Sequence, residues 1–104
     1  MNEINETVYN GSDNTIELQL TEDGVPMPDH SIITRCVADL SGNASAIDSA
    51  VTPQYFDMTN SDRIILKFGA AGLSKGKYWM TLTIYTSTQT NGVVWSPVVR
   101  LTVV

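Results

Sequence analysis

Tyr78-Trp79-Met80-Thr81-Leu82-Thr83-Ile84-Tyr85-Thr86-Ser87 decides the fold. Successive side chains of a strand point to opposite faces, so this run sorts itself into two stripes. Tyr78, Met80, Leu82 and Ile84 form an apolar stripe that belongs in a core, while Trp79, Thr81, Thr83 and Tyr85 form the opposite face. Downstream, Asn91-Gly92 is a pair that tolerates positive φ, and it returns the chain into Val93-Val94-Trp95-Ser96-Pro97-Val98-Val99-Arg100-Leu101-Thr102-Val103-Val104. The two segments read as a C-terminal hairpin. Upstream, Leu73-Ser74-Lys75-Gly76-Lys77 leads directly into the first of them. A tyrosine near the start of the penultimate strand, such as Tyr78, can tie its hydroxyl to upstream backbone at a sheet corner, a feature of immunoglobulin-like sandwiches.

Further from the hairpin the same period continues. In Asn14-Thr15-Ile16-Glu17-Leu18-Gln19-Leu20-Thr21, Ile16, Leu18 and Leu20 share one face and Thr15, Glu17 and Gln19 the other. Asp23-Gly24 supplies a turn, and Pro26 and Pro28 are expected to prevent regular pairing until Ile32. A strand is predicted from Ile32 to Leu40, ended by Ser41-Gly42-Asn43. The small residues and Pro53 of 44–59 leave room for a short helix, but short irregular edge strands around 46–51 and 54–58 suit a sandwich better. Arg63-Ile64-Ile65-Leu66-Lys67-Phe68 is a further strand with Ile64, Leu66 and Phe68 inward. Many short strands, frequent turn signals and no amphipathic helix predict an all-β chain, an immunoglobulin-like antiparallel β-sandwich of about seven strands, forming a single domain over 1–104.

The chain has 11 acidic and 6 basic residues among 104, a net charge of −5. Nucleic-acid affinity comes mainly from Lys and Arg displacing counterions, so nucleic acid and anionic membrane are poor partners. Cys36 is the only cysteine, which excludes an internal disulfide and reads as a small buried side chain. The first residues, Met1-Asn2-Glu3-Ile4-Asn5-Glu6-Thr7, have neither the basic nor the apolar region of a signal peptide, and no later run reaches membrane-spanning length. Synthesis and folding in the cytoplasm are therefore expected.

No catalytic constellation is legible, and a non-enzymatic chain without cofactor is expected. His30, the sole histidine, lies in a proline-flanked loop and is expected to be solvent-exposed, without a nucleophile to serve. Asp57 with Asp62, or Glu17 with Asp23, offer carboxylate pairs of no distinctive spacing and read as solvated turn groups. No zinc-type Cys/His cluster or EF-hand loop occurs, although calcium shared between aspartates of two loops needs no sequence signature. Gly69-Ala70-Ala71-Gly72 lacks the lysine and spacing of a phosphate loop. The functional candidates are Trp79 and Tyr85, opposite the core stripe, where large apolar surface marks an interface if contiguous. A sheet curved the other way would bury both and leave Tyr78 and Met80 outside. Trp95 is expected to fill the core against its hairpin partner.

Asp13-Asn14-Thr15-Ile16-Glu17-Leu18-Gln19-Leu20 followed by Asp23-Gly24-Val25-Pro26 resembles the opening of small sandwich domains in tailed-phage virion proteins, including the N-terminal domain of baseplate upper proteins. Leu73-Ser74-Lys75-Gly76-Lys77-Tyr78 and Val99-Arg100-Leu101-Thr102-Val103 are similar to the last strands of those domains. The resemblance implies a structural subunit of a tail, baseplate, neck or head decoration, located in the virion and contacting other virion proteins or copies of itself as a homo-oligomer. Antibody-like recognition does not carry over, because the cysteine pair and the tryptophan of the third strand are missing. The competing expectation is a recognition module for carbohydrate or a host surface, with Trp79 or Tyr85 stacking on sugar rings.

Overall fold

The computed structural model describes residues 3–42 and 46–104. The hairpin is its centre. β9 (Gly76–Tyr85) alternates as its sequence predicts, with Tyr78, Met80, Leu82 and Ile84 buried and Trp79 exposed. β10 (Val93–Val103) runs antiparallel to it, first as Val93↔Ile84 to Trp95↔Leu82 and then as Val99↔Met80 to Val103↔Gly76. The register breaks between Trp95 and Val99, where Pro97 has no N–H to give to a ladder. The break also divides the other edge of β10. Ser96 pairs with Thr21 of β3 (Thr21–Glu22), whereas Val98 to Val103 pair in parallel with β1 (Glu3–Val8).

On the far side of β9 lie β5 (Arg35–Leu40) and the two-residue β6 (Ile47–Asp48). β4 (Val25–Pro26) pairs with β3, which gives the large sheet the order β4-β3-β10-β9-β5-β6, with β1 beside the second half of β10. A second antiparallel sheet packs against it in the order β2 (Ile16–Leu18), β8 (Ile64–Leu66), β7 (Phe56–Asp57). The chain is thus an all-β sandwich. Its helical content among the described residues is three 3-10 turns of three residues each, and no helix is long and apolar enough to cross a membrane.

The buried side chains form one cluster between the sheets. Ile16, Leu18, Ile64 and Leu66 face inward from the small sheet; Cys36, Ala38, Leu82, Ile84 and Leu101 face them from the large one. Each large aliphatic side chain taken fully out of water contributes roughly 1.5–3 kcal/mol before the entropy of ordering is subtracted. Phe56 and Phe68 meet edge to face with centroids 5.6 Å apart. Tyr78 donates its hydroxyl to the Ser74 carbonyl at 2.6 Å, the corner bond expected at the start of this strand.

Several expectations need correction. The described residues hold ten strands rather than about seven, because short segments at the sheet margins pair for two residues each. β1 is an additional strand: Ile4, Glu6 and Val8 face inward, and the glutamate in the inward stripe hides the period in the sequence. Pro26 does pair, opposite Thr21, since β4 is an outermost strand whose missing N–H costs no ladder bond. The Asp23-Gly24 turn joining it to β3 has positive φ at both residues, 52° and 80°, as a two-residue hairpin requires. The strand predicted from Ile32 begins only at Arg35, because His30–Ile32 forms a 3-10 turn capped by the Asp29 carboxylate. Of the 44–59 segment, β6 and β7 match the expected edge strands, while Asn43 to Ser45 lie outside the described residues.

The largest correction concerns His30, which is fully buried rather than exposed. Between β2 and β3 the chain crosses from the small sheet to the large one, and at Leu20 it leaves both ladders. The Leu20 carbonyl accepts from the Met27 amide at 2.8 Å, and the Leu20 amide donates to His30 Nε2 at 2.9 Å. A carbonyl only accepts, so the 3.0 Å contact of His30 Nδ1 with the Ser61 carbonyl is a donated bond, and both partners fix the same neutral tautomer. The imidazole stands in for a missing strand.

Candidate interface on the outer face of the large sheet

Trp79 stands on the outer face of β9 with 46% of its surface exposed, so the alternative of a sheet curved to bury it is excluded. Its cross-strand partner on β10 is Arg100. An unbroken register continuing from Trp95↔Leu82 places Val98 opposite Trp79; the irregularity at Ser96 to Val98 shifts the pairing by two residues and brings Arg100 there instead. The guanidinium carbon sits 4.7 Å from the Trp79 ring centroid, a cation–π contact of about 0.5–1 kcal/mol at an exposed site. Asn5 of β1 lies on the other side of Arg100. Together with Lys77 and Thr102 these residues line a depression of ≈ 260 Å³ whose walls contain no carboxylate.

Tyr85, the second candidate, faces the same way but lies six residues along β9, roughly 20 Å away at about 3.3 Å per residue. The structure does not bring the two aromatics together. Arg35 covers Tyr85 at 4.8 Å from its centroid, and the same guanidinium donates through Nε and Nη2 to the Asp48 carboxylate, at 3.0 Å for Nε. That donation holds the Asp48 carboxyl below the usual range. On its other flank the ring is approached so closely by Gly92 that a Cβ there would lie 2.9 Å from Tyr85 Cε2. Tyr85 is therefore closed in by its own neighbours. Arg100, by contrast, makes no hydrogen bond or ion pair to any described residue, and its fork of donors stays open above the indole.

The remaining candidates are occupied elsewhere. Cys36 is fully buried, and burial first, with the Asp48 charge behind it, pushes its thiol up to about 12. Asp57 accepts from the Thr59 hydroxyl and amide, which lower its pKa, and Glu17 and Asp62 both pair with Arg63. Among the described residues no group of three or more His, Cys, Asp or Glu is placed to hold a metal ion. The glycine-rich stretch opens with a 3-10 turn at Phe68–Ala70 in which Phe68 and Gly69 are buried. Trp95 is partly buried and packs on the core cluster, with Nε1 lacking a protein partner among the described residues.

Sequence reasoning singled out Trp79 but not Arg100, Lys77 or Asn5. The parity of Val99-Arg100-Leu101-Thr102-Val103 puts Arg100 outward, yet nothing local in the sequence reveals the two-residue shift that sets it against Trp79. No protein-family model matches the chain, and a search of curated proteins finds no match.

Proposed function

We propose that this chain is a non-enzymatic, immunoglobulin-like assembly domain of a phage or prophage virion that contacts neighbouring proteins through the outer face of its large sheet. The observation that carries the reading is the exposed Trp79 with Arg100 stacked on it beside a shallow depression. Tryptophan and arginine are the residues most enriched at the energetic centres of protein interfaces. Strand order supports the immunoglobulin-like part: β2-β8-β7 corresponds to strands B-E-D, and β1-β10-β9-β5-β6 to A′-G-F-C-C′ of a variable-type sandwich, with the Tyr78 bond at the start of F. The absence of enzymatic chemistry is supported by His30, whose two nitrogens are spent on backbone groups, and by Cys36, whose thiol is held protonated. The virion assignment rests on the resemblance of 13–26, 73–78 and 99–103 to tailed-phage sandwich domains.

Density-gradient fractionation of particles released from cells carrying the gene tests it. The chain is expected to co-sediment with particles, and Trp79→Ala is expected to reduce its recovery there while remaining folded, its stability lowered by no more than about the 0.5–1 kcal/mol of the lost Arg100 contact. Recovery only at the top of the gradient refutes the assembly reading.

A second reading, a carbohydrate-binding module, is favoured by the polar groups of Asn5 and Thr102 near the exposed indole. It ranks lower because sugar stacking needs an open ring face and Arg100 covers one of the two. Saturable, glycan-dependent change in tryptophan emission would promote it over assembly.

A further inference from the structure

Lys77 and Arg100 are two of only six cations in a chain of net charge −5, and they share one depression. Neither is neutralised by a carboxylate among the described residues, although Arg35 and Arg63 both are. The guanidinium carbon sits 4.7 Å from the centre of the indole, and its donors, which bond no described residue, can receive a carboxylate arriving from outside. What arrives must bring acid and apolar surface side by side, because the site offers cation and indole side by side.

The chain itself presents that pattern. Glu22-Asp23 is its only pair of adjacent acidic residues. The pair lies at the tip of the β3–β4 hairpin, fully outside the core, at the margin of the large sheet. Glu22 is the register partner of Val25, which is 64% exposed, so an acid and an apolar side chain stand together on one face of the hairpin. Neither Glu22 nor Asp23 makes a side-chain hydrogen bond or ion pair with a described residue. The cross-strand pair Glu22–Val25 is the chemical complement of the cross-strand pair Arg100–Trp79.

We propose that the Trp79–Arg100–Lys77 depression receives the Glu22-Asp23 hairpin tip of a second copy of this chain, carboxylates on the cations and Val25 against the indole. This rests on the reading of the outer face as a protein-contact surface and names its occupant. Tip and depression are different patches, so the contact is head to tail: it closes into a ring, closes reciprocally as a pair, or continues as a filament. A tip in a groove buries little area compared with the roughly 1,200–2,000 Å² of standard stable interfaces, so the contact is weak in isolation, and its electrostatic part is screened by salt.

The test is sedimentation velocity on the full chain across a concentration series to the millimolar range, with two charge-reversed variants, Glu22→Lys/Asp23→Lys and Lys77→Glu/Arg100→Glu. All four positions are exposed, and matching thermal melts verify folding; Arg100→Gln serves as the milder probe. The native chain is expected to rise above its monomer mass with concentration and to return towards it with added salt. Each reversed variant is expected to lose association by at least about tenfold, as loss of paired charges across a contact implies. An equimolar mixture of the two reversed variants is expected to regain it, because each tip then meets a groove of opposite sign. A native chain that stays monomeric, a reversed variant that associates like the native chain, or a mixture that stays monomeric overturns the proposal. Self-association and particle recovery are separate readouts. A monomer that is still recovered in particles removes only the self-contact, whereas a self-associating chain absent from particles removes the virion reading and keeps it.

Discussion

Replacing His30 perturbs the fold at one defined point, the crossing of the chain between sheets. His30→Leu keeps side-chain bulk but takes away the acceptor of the Leu20 amide, which is left unpaired beside a fully buried Leu20 side chain. An unsatisfied buried donor costs about 1–3 kcal/mol. The Ser61 carbonyl loses the Nδ1 bond but keeps the His30 backbone amide at 2.7 Å, so it adds little. His30→Ala additionally leaves a cavity where a fully buried ring stood, raising the cost to about 3–5 kcal/mol, a large part of the ~5–15 kcal/mol that a domain of this kind has in total. His30→Gln supplies an amide that can accept at one end and donate at the other, and it should cost least of the three. Urea unfolding followed by tryptophan emission measures the midpoint and slope. The midpoint should fall in the order native, Gln, Leu, Ala with the slope unchanged, and Tm should fall by roughly 4–8 °C per kcal/mol. As a control, Ile32→Ser, two residues on and half exposed, should stay within about 0.5 kcal/mol of native. A His30→Leu protein that unfolds at the native midpoint refutes the idea that the imidazole replaces a strand.

Other consequences can be measured on the same preparations. Tyr78→Phe removes the 2.6 Å bond to Ser74 while keeping the ring, and should lower stability by about 0.5–1.5 kcal/mol by chemical denaturation. Gly92→Ala should destabilise more than Gly24→Ala in paired thermal melts: both have positive φ, but a Cβ at 92 lies 2.7 Å from Thr83 Cγ2 whereas at 24 it meets open space. Asp48 has a folded pKa depressed below 3.8, chiefly by the Arg35 hydrogen bond, so its contribution is present above that value and is lost as pH falls through the folded pKa; Asp48→Asn should flatten this acid limb of a stability–pH curve. The Cys36 thiol is raised from 9.0 to about 12, so its share of stability is full below pH 9 and is lost between the two values as the unfolded thiol ionises. Cys36→Ala should therefore flatten the alkaline limb, and native Cys36 should react with a maleimide only as fast as the protein opens.

The parts of the fold legible in the sequence are those where one face is uniformly apolar. Tyr78 to Ile84, Ile64 to Phe68 and Ile16 to Leu20 each carry an unbroken inward stripe, and each is buried as its period requires. β1 escaped because Glu6 interrupts its stripe, and β4 because a proline argues against pairing unless the strand is known to be outermost. The burial of His30 is illegible for a different reason: its loop is polar and proline-flanked, and only the tertiary crossing at Leu20 creates a need for a buried acceptor there. At the candidate site, Trp79 could be read from parity alone. Its pairing with Arg100 could not, since that depends on two residues absorbed at Ser96 to Val98, and the closure of Tyr85 depends on Arg35 and Gly92 arriving from other elements.

Lysine reactivity distinguishes the faces of the sandwich most directly, because Lys77 lines the depression beside Trp79 while Lys67 follows β8 of the opposite sheet and Lys75 precedes β9. Amine-directed crosslinking and footprinting by mass spectrometry, run on the isolated chain and on the chain in purified particles, reads all three at once. The account predicts that Lys77 becomes protected or crosslinked to a neighbour in the assembled state while Lys67 reacts as it does in isolation. Protection of Lys67 with Lys77 left fully reactive would contradict it and move the contact surface to the other sheet.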